Sequence, residues 1–280
     1  MGRGDMTDKQ WELLQPHLPV TKKGRPIKNL RRSIDAIRWV LRTGAPWRDL
    51  PERYGPWRTA SNTFYRWRNS GRWQQMLESI QSKAHTDGEL GWFLHFLDST
   101  VIRVHQHAAG ARRYGRTLQE TQQQEALGKS RGGWTTKVHM RCEEGGRPLH
   151  FVLSPGQAAD INYARGLLTN GVVRTSGPGR PRWRPGKVVG DKAYNAGHFR
   201  RWLKSHGIGR VLPIFSNQRR RGPFDREAYR KRNRAERCFN RSKQFRRLAT
   251  RYEKQASSYR AMWLIASALL WLFAPSMAIA

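Results

Sequence analysis

The chain has 280 residues with 53 Lys and Arg against 20 Asp and Glu, which gives a formal net charge of +33 at pH 7. This charge is far larger than solubility requires, so it predicts a polyanion as the partner. Cys142 and Cys238 lack the spacing of a disulfide framework or a metal site, and residues 1–10 lack the apolar segment of a signal peptide, so we expect a reducing cytoplasm rather than export.

The first 85 residues are predicted to be helical. Thr7 followed by Gln10 fits a capping box at the start of a first helix. Apolar residues recur at helical spacing from Leu30 to Leu41, which predicts a second helix. A third helix is expected after the Gly-Pro turn at residues 55–56, and an apolar stripe at residues 73–80 predicts a fourth.

The third of these helices resembles the second helix of a helix-turn-helix. It carries Arg58, Arg66 and Arg68 beside Phe64 and Trp67. A basic helix of this kind can enter a DNA groove, so we predict that the three arginines contact DNA. Residues 1–85 would then form a helical DNA-binding domain. The alternative is an ordinary helical domain whose arginines are merely solvated.

From about residue 86 the pattern changes to strands alternating with helices. The predicted elements are a strand at 92–105, two strands around a turn at 144–146, a helix at 160–170, a strand within 187–195, a helix at 198–205, a strand at 210–214, a basic helix from about 226 to 254 and an apolar helix after 261. This order predicts an α/β fold of the ribonuclease H-like type over residues 86–280. Residues 106–133 and 175–186, rich in Gly and Arg, are predicted to be loops.

The C-terminal 20 residues, 261–280, carry no charge and are long enough to cross a bilayer. Pro275, however, would end a helix near Ala274 and leave about 14 apolar positions, a length that suits a buried core helix better. We therefore predict a core helix and no membrane contact.

Two lone acids stand at predicted strand ends. Asp98 ends the apolar run of residues 92–97, and Asp191 follows Val188 and Val189. Ligands of open α/β sheets gather outside the carboxyl ends of the strands. The first and fourth strands of the predicted topology are neighbours, so we expect the two carboxylates to meet.

A third acid, Glu236, lies in the predicted basic helix. Tyr229, Arg232, Glu236 and Lys243 stand at offsets of 0, 3, 7 and 14. At about 100° per residue these positions fall within an arc of about 60°, so we expect them to share one helix face. The surrounding cations are expected to keep Glu236 ionised.

Three carboxylates from two strands and a helix suit hard divalent cations. Mg²⁺ prefers oxygen ligands and keeps positions open for water and phosphate. Two ions about 4 Å apart can activate an attacking oxygen and stabilise a leaving oxygen during displacement at phosphorus. We therefore predict that Asp98, Asp191 and Glu236 hold two Mg²⁺ or Mn²⁺ ions.

Several motifs distributed over nearly the whole chain are similar to one known family. They are TDKQWELLQPHLP and RTGAPWRDLPERYGPW near the N-terminus, SRGGWTTKVH and SPGQAAD in the middle, VVGDKAYN around Asp191, and the Tyr-x2-Arg-x3-Glu-x6-Lys spacing that ends at Lys243. On these motifs the chain resembles the IS5 family of bacterial insertion-sequence transposases, which are of the DDE type.

The resemblance implies a catalytic triad of Asp98, Asp191 and Glu236. It also implies that Tyr229, Arg232 and Lys243 position DNA. The enzyme would bind the terminal inverted repeats of its element, cleave at the element ends and transfer the freed 3′-hydroxyl to target DNA. It would act in the bacterial cytoplasm at the nucleoid, and as at least a dimer when DNA is bound.

Three further residues have open roles. Lys137 and His139 alternate on a predicted strand and point to the same face, where they either contact DNA phosphates or lie on the surface. Asp160 competes with the predicted triad, but it stands where a helix N-cap belongs, so we predict a structural role.

Two other functions fit the same sequence. A ribonuclease H-like nuclease that cuts branched DNA needs only the same acids. A DNA-binding regulator repurposed from a transposase would need none of them. A gene standing alone between matched inverted repeats favours the mobile element, and a gene without such repeats favours the repurposed regulator.

Overall fold

The centre of the protein is a seven-stranded sheet. A computed structural model of the chain describes residues 5–19, 27–110, 117–130, 132–175, 177, 179–218 and 223–274. The strands are β1 (Leu94–Val104), β2 (Gly128–Ser130), β3 (Gly133–Cys142), β4 (Pro148–Pro155), β5 (Lys187–Val189), β6 (Gly209–Val211) and β7 (Thr250–Arg251).

The pairing of these strands confirms the ribonuclease H-like fold. β3 pairs antiparallel with both β1 and β4. On the other side of β1 the sheet becomes parallel, with β5 beside β1 and β6 beside β5. The three long strands β1, β3 and β4 thus form an antiparallel half of the sheet. Strands β5 and β6, which follow helices, form a parallel half together with β1. The short strand β2 pairs antiparallel with the start of β3, and the short strand β7 pairs parallel with the end of β1.

Helices cover both faces of the sheet. They are α1 (Asp8–Leu14), α2 (Leu30–Thr43), α3 (Trp57–Asn69), α4 (Arg72–Thr86), α5 (Gln106–Ala109), α6 (Leu118–Gln124), α7 (Ile161–Thr169), α8 (Gly197–Ser205), α9 (Arg226–Arg230), α10 (Asn233–Lys243), α11 (Arg246–Ala249) and α12 (Ala256–Phe273).

The N-terminal helices begin and end where the sequence predicts. The Thr7 side chain accepts a hydrogen bond from Gln10 N, and the Gln10 side chain accepts one from Thr7 N, so the capping box of α1 is formed. Asn29 caps α2 through Arg32 N. Gly44 ends α2 with a φ of +76°, a left-handed conformation that favours glycine.

Two hydrophobic cores lie on opposite faces of the sheet because successive strand residues point to opposite sides. On one face Phe96 and Val138 pack with side chains of α2, α3, α4, α10 and α12. On the other face Leu97 and Val188 pack with α7 and α8. The N-terminal helices therefore share a core with the C-terminal helix.

The apolar helix α12 is a core helix, as expected. It is long and apolar enough to cross a membrane, but 72% of its apolar window is buried inside the protein. Trp263 is fully buried, and the ring nitrogen of Trp271 donates a hydrogen bond to Pro148 O at 2.7 Å. Pro275, the predicted stop, lies outside the described residues.

The prediction of a loop over residues 106–133 is wrong, because α5, α6, β2 and the start of β3 occupy parts of it. Thr117 and Glu120 form a capping box that starts α6. The buried guanidinium of Arg251 donates to Glu125 O at 2.7 Å and so anchors the end of this segment. A contact with a residue over one hundred positions away cannot be read from local composition.

The prediction of one basic helix from residue 226 to 254 is also wrong. The segment forms three helices, α9, α10 and α11, followed by strand β7. The first break lies at Lys231 and Arg232, where α9 ends and Arg232 takes the N-cap position of α10. The last break arises because Thr250 pairs with Arg103 on β1, so sheet formation competes with the helix.

Candidate active site

Asp98 and Asp191 occupy the same level of neighbouring parallel strands. Phe96 on β1 pairs with Val189 on β5. Asp98 lies two residues after Phe96, and Asp191 lies two residues after Val189. The two carboxylates therefore lie on the same face of the sheet, on strands about 4.8 Å apart. Asp191 caps the short 3₁₀ turn Lys192–Tyr194, its Oδ1 accepting from Ala193 N at 2.9 Å. The structure thus brings the two acids together. The prediction that Asp98 ends a strand is wrong, because β1 continues through Val104 in pairing with β3.

Glu236 is linked to Asp98 through Arg232. Glu236 lies in the first turn of α10, with 48% of its side chain exposed, and accepts a hydrogen bond from Arg232 Nη2. Arg232 Nη1 reaches Asp98 Oδ2 at 3.4 Å. Although burial opposes it, the charges of Asp98 and Glu236 raise the pKa of Arg232. We call Asp98, Asp191 and Glu236 the acid cluster.

The surroundings of Asp98 disfavour the ionised form of its carboxyl group. Burial raises its pKa to about 6, and the charges of Asp191 and Glu236 act in the same direction. A hydrogen bond from Ser99 N and the guanidinium of Arg232 oppose this shift. A buried acid beside two other acids therefore gains from an added cation.

The donor set of the acid cluster fits a hard divalent cation, because it supplies carboxylate oxygens. In the part of the chain that the structure describes, no three His, Cys, Asp or Glu side chains stand close enough to hold an ion as they are. Arg232 provides the positive charge between Asp98 and Glu236. Metal binding by all three acids thus requires Glu236 to turn away from Arg232 toward the aspartates.

Lys243 and Tyr229 flank the acid cluster from two different helices. Lys243 Nζ donates to Thr100 Oγ1 on β1 at 2.8 Å. Tyr229 lies on α9 and stacks near Arg232, whose guanidinium carbon is 6.0 Å from the tyrosine ring centre. The four residues of the Tyr-Arg-Glu-Lys spacing therefore surround one site, although the helix is broken between the first two.

Thr100 was not predicted. It is two residues beyond Asp98, so strand alternation places both side chains on one face. The sequence contains this signal, but only the position of α10 shows that Lys243 meets Thr100.

Lys137 and His139 lie on the opposite face of the sheet from the acid cluster. The β1–β3 register pairs Ser99 with His139, whereas Asp98 pairs with Met140. His139 is fully buried and stacks on Tyr163 with ring centres 4.2 Å apart. The prediction of a DNA contact or a surface position for His139 is therefore wrong.

Asp160 pairs with these two residues instead of capping α7. It stands at the N-cap position, but its side chain caps no backbone N–H among the described residues. Asp160 Oδ1 is 3.0 Å from Lys137 Nζ and 3.4 Å from His139 Nδ1. Lys137 Nζ also donates to Ala158 O at 2.7 Å, so two contacts hold its ammonium, and a DNA contact by Lys137 stays a prediction. We call Lys137, His139 and Asp160 the histidine cluster.

His139 in this cluster is neutral near pH 7. Burial lowers its pKa to about 4, against the opposing charge of Asp160. Lys137 supplies the charge that balances Asp160. The histidine cluster is therefore a closed ion pair with a neutral imidazole, and its role is structural.

The three predicted arginines of α3 have different environments. Arg66 is exposed and lines an open groove with Thr59, Asn62 and Asn69. Arg58 is exposed and lies 5.2 Å from the ring centre of Trp57.

Arg68 contacts the start of α12. Its Nη1 donates to Gln255 Oε1 at 2.6 Å and to Ser258 Oγ, so it joins α3 to α12. A DNA contact by Arg68 stays a prediction.

Two family models match the chain. Residues 6–77 match the family described as "Putative transposase of IS4/5 family". Residues 95–271, which include the acid cluster, match the family described as "Transposase DDE domain".

Curated relatives are bacterial. The chain is 31% identical over 142 residues to the "Putative transposase for insertion sequence element IS6501" of Brucella ovis, covering 49% of this chain and 98% of that protein. It is 42% identical over 110 residues to "Uncharacterized protein y4sN" of Sinorhizobium fredii, covering 39% and 83%. It is 30% identical over 117 residues to the "Insertion element IS402 uncharacterized 16.2 kDa protein" of Burkholderia cepacia, covering 37% and 76%.

Solved structures with distant similarity include a piggyBac transposase synaptic complex with hairpin DNA, at a TM-score of 0.44 and 11% identity. The match covers 80% of this chain and 54% of that one, so the chain spans about half the length of that transposase. The Mos1 strand transfer complex matches at a TM-score of 0.27 and 13% identity, covering 80% of both chains.

Proposed function

The chain belongs to the transposase DDE domain family and is a DNA transposase, and from this premise we propose how its residues perform transposition. The N-terminal helices bind the terminal inverted repeats of an insertion sequence. The acid cluster cleaves DNA at the element ends and joins the freed 3′-hydroxyl to target DNA. The observation that carries this proposal is that Asp98 and Asp191 lie at matching positions along neighbouring parallel strands, with Glu236 linked to Asp98 through Arg232.

Asp98, Asp191 and Glu236 are proposed as the ligands of two Mg²⁺ or Mn²⁺ ions. Bound there, the ions would activate the attacking oxygen and stabilise the leaving oxygen at the scissile phosphate. Asp98 and Asp191 are fixed by the strands and supply preorganised oxygens. Glu236, exposed on α10, completes the set when Arg232 releases it.

Arg232 is proposed to move from the acids to DNA. Its guanidinium offers two donor edges that fit a phosphate as well as a carboxylate. A cation held by Asp98 and Glu236 would weaken their attraction for Arg232, and its guanidinium could then pair with a DNA phosphate. Lys243 and Tyr229 flank the same site and are proposed to position the strand beside it.

Recognition of the ends is proposed for residues 1–85, with catalysis in 86–280. The exposed face of α3 presents Thr59, Asn62, Arg66 and Asn69 along an open groove. Arg can pair with guanine and Asn with adenine in the major groove, so these side chains can read base edges. The core shared with α12 makes the recognition helix rigid relative to the catalytic sheet.

Further parts of this proposal concern assembly and location. Cleavage and joining of paired ends need two active sites, so we propose at least a dimer on DNA. A net charge of +33 favours association with the nucleoid in the cytoplasm.

The experiment is cleavage of labelled element-end duplex in Mg²⁺ or Mn²⁺, with a duplex of scrambled end sequence as control. We expect nicks at the element end and joined products with target DNA. Nicking of branched DNA without joined products would favour the structure-specific nuclease. End binding with no cleavage by the wild-type protein would favour the repurposed regulator.

End recognition is tested with Arg66→Ala, compared with Lys83→Ala, an exposed lysine on α4 that pairs with Asp87. We expect Arg66→Ala to weaken binding to end DNA by about 10-fold, since one good base contact contributes about 1 to 3 kcal/mol. Lys83→Ala should bind as the wild type does. Equal binding by both variants would place end recognition elsewhere. Affinity of the wild type should also fall steeply with salt.

A further inference from the structure

A cavity of about 620 Å³ lies where helices α2, α10 and α12 meet. Its volume falls within the range of about 300 to 1,000 Å³ that is usual for ligand sites. None of the described residues that line it is acidic, whereas four of them are arginines: Arg38 and Arg42 from α2, Arg241 from α10 and Arg246 from the start of α11. We call this the arginine cavity.

Apolar side chains complete the wall of the arginine cavity. They include Phe245 between α10 and α11, and Leu269 and Phe273 on α12. The guanidinium carbon of Arg38 lies 6.0 Å from the ring centre of Phe273. Charges attract more strongly beside apolar groups than in open water, because the effective dielectric constant is lower there. An anion in this cavity would therefore be held more strongly than at an exposed cation.

One guanidinium nitrogen in the cavity wall lacks a partner. Arg38 Nη1 is buried and has no hydrogen-bond partner among the residues that the structure describes. Burial lowers the pKa of Arg38, and the charge of Asp35 opposes this shift while the charge of Arg42 adds to it. Asp35 lies one turn earlier on α2 and accepts a hydrogen bond from Met6 N at 2.9 Å. A half-buried cation with an unused donor is stabilised by an added anion.

Arginines at such a place also offset the negative ends of helices. α2 ends at Thr43, α10 at Lys243 and α12 at Phe273, so three helix C-termini lie at the cavity. Each C-terminus is equivalent to about half a negative charge. Three ends offset about 1.5 of the four positive charges and leave about +2.5. A phosphate group, with a charge of about −1 to −2, fits this remainder.

The arginine cavity and the acid cluster lie on different sides of α10. Arg241 stands five residues after Glu236 and two before Lys243. At about 100° per residue, Arg241 points about 140° away from Glu236 and about 160° away from Lys243. Its Nη2 donates to Gly146 O at 3.2 Å, in the turn between β3 and β4. A phosphate in the cavity would therefore belong to a different backbone segment from the one at the acid cluster.

We propose that the arginine cavity binds a phosphate group, and that this phosphate belongs to a DNA backbone segment on the side of α10 away from the acid cluster. Guanidinium groups pair with phosphate through two parallel hydrogen bonds, which suits a cavity with several of them. The choice of DNA as the source of the phosphate rests on the proposed DNA binding of this transposase. The phosphate site itself does not.

The experiment uses two cavity variants of the full-length protein, Arg38→Gln and Arg246→Gln. Arg246 is exposed, so its replacement should not disturb folding. Arg201→Gln is the matched control, because it removes the same charge from an exposed position on α8, which packs on the other face of the sheet. Melting temperature in EDTA is measured against inorganic phosphate, with NaCl of equal ionic strength as reference. Binding of end duplex and of scrambled duplex is then measured in EDTA over a range of salt.

We expect phosphate to raise the melting temperature of the wild type with a saturable midpoint. That midpoint should rise by about 10-fold in each cavity variant, the usual effect of losing one hydrogen bond between charged groups. The slope of log affinity for DNA against log salt should become shallower by about 0.9, equally for both duplexes, because one phosphate contact is lost. Without phosphate, both variants should melt at or above the wild-type temperature. Arg201→Gln should keep the wild-type midpoint and slope.

Three outcomes overturn the inference. Unchanged phosphate midpoints in both cavity variants would show that the cavity binds no phosphate. Lower melting temperatures of both variants without phosphate, at wild-type midpoints, would show that the arginines only offset helix ends. A raised midpoint with an unchanged salt slope would exclude DNA and assign the cavity to a free phosphate compound.

Failure of the proposed function would look different. If the wild type bound end duplex no better than scrambled duplex, end recognition would be wrong. The phosphate titration and the salt slope on scrambled duplex would still decide the role of the arginine cavity.

Discussion

The two faces of the sheet each place acids beside a cation, and the two arrangements differ in charge balance. In the acid cluster, two of the three carboxylates, those of Asp98 and Glu236, share the guanidinium of Arg232, and Glu236 remains 48% exposed. In the histidine cluster, one carboxylate meets one ammonium, and the side chains of Lys137 and Asp160 are only 14% and 15% exposed.

We propose that this difference separates a site able to bind a cation from a site whose charges are already balanced. The histidine cluster is neutral overall, because the low pKa of His139 leaves it uncharged. The acid cluster has an excess of negative charge in a protein that is otherwise strongly basic. Excess charge with access to solvent, and not the mere presence of acids, distinguishes the candidate active site.

The largest expected effect comes from removing the acids themselves. Asp98→Ala, Asp191→Ala and Glu236→Gln should each lower cleavage by about 10³-fold or more, because loss of a ligand removes several kcal/mol of metal-ion stabilisation. Binding to end DNA should be largely retained. Nicking of labelled end DNA in Mg²⁺ measures the first effect, and gel shift measures the second.

Asp160→Asn is the control for these variants, since it changes an acid of the other cluster. It should cleave at the wild-type rate per folded molecule. Full activity in Asp191→Ala, or complete loss in folded Asp160→Asn, would show that the two clusters have been assigned the wrong way round.

Replacing the lysine on each face of the sheet should change cleavage by different factors, both smaller than the factor expected for the acids. Lys243→Ala should lower cleavage by about 10- to 100-fold, because a positioned cation that stabilises a phosphate contributes about 1.4 to 2.7 kcal/mol. Lys137→Ala should leave cleavage per folded molecule unchanged, since its ammonium is held by Asp160 and Ala158. Equal losses in both variants would contradict the separation of the faces.

The free energy of unfolding should depend more on the histidine cluster than on the acid cluster, which is the reverse of the order expected for cleavage. Asp160→Asn should lower the free energy of unfolding by about 1 kcal/mol, because it removes the charge that compensates Lys137 while keeping a hydrogen-bond acceptor. Glu236→Gln should not lower it, since the acid cluster then loses one of its repelling charges. Urea unfolding of the metal-free proteins measures both, and a larger loss for Glu236→Gln would argue against excess charge at that site.

The smallest expected effect is the pH dependence of the acid cluster. Because the pKa of Asp98 is raised to about 6, cleavage should fall below pH 6 as its carboxylate is protonated, by about 10-fold at pH 5. The stability of the metal-free protein should depend on pH in the opposite direction. A raised folded pKa adds stability below the ordinary value of 3.8, and this contribution is lost as the pH rises through about 6.

Asp98→Asn serves as the reference for this last measurement. Its metal-free unfolding free energy should lack the component that falls between pH 4 and pH 6. An unchanged pH profile in that variant would mean that another buried acid, such as Asp35, is responsible. The pKa of Asp35 is also raised by burial.

Local features of the sequence predicted much of the fold correctly. The capping box at Thr7 and the stop at Gly44 depend on neighbours within a few residues, so they could be read directly. The apolar run before Asp191 likewise placed this acid just after a strand, whereas Asp98 lies in the middle of β1. Alternation along β1 and β3 correctly put Lys137 and His139 on one face, but it could not say which face.

Errors arose wherever a distant contact overrode a local pattern. The basic segment after residue 226 is broken because its end pairs with β1. His139 is buried because Tyr163 and Asp160 cover it from α7 and the loop before that helix. The helical spacing of α3 also could not show that Arg68 contacts Gln255 and Ser258, almost 190 positions later in the chain.

The sequence by itself determined the acids, their spacing and the helical and strand periods, because these depend on residue identity and on separations of a few positions. The tertiary structure alone decided which acids share a face, since that depends on strand register and on where α10 packs. It also decided that Arg232 bridges Asp98 and Glu236. Charge balance at a site depends on distances in space, and the order of residues along a chain does not contain those distances directly.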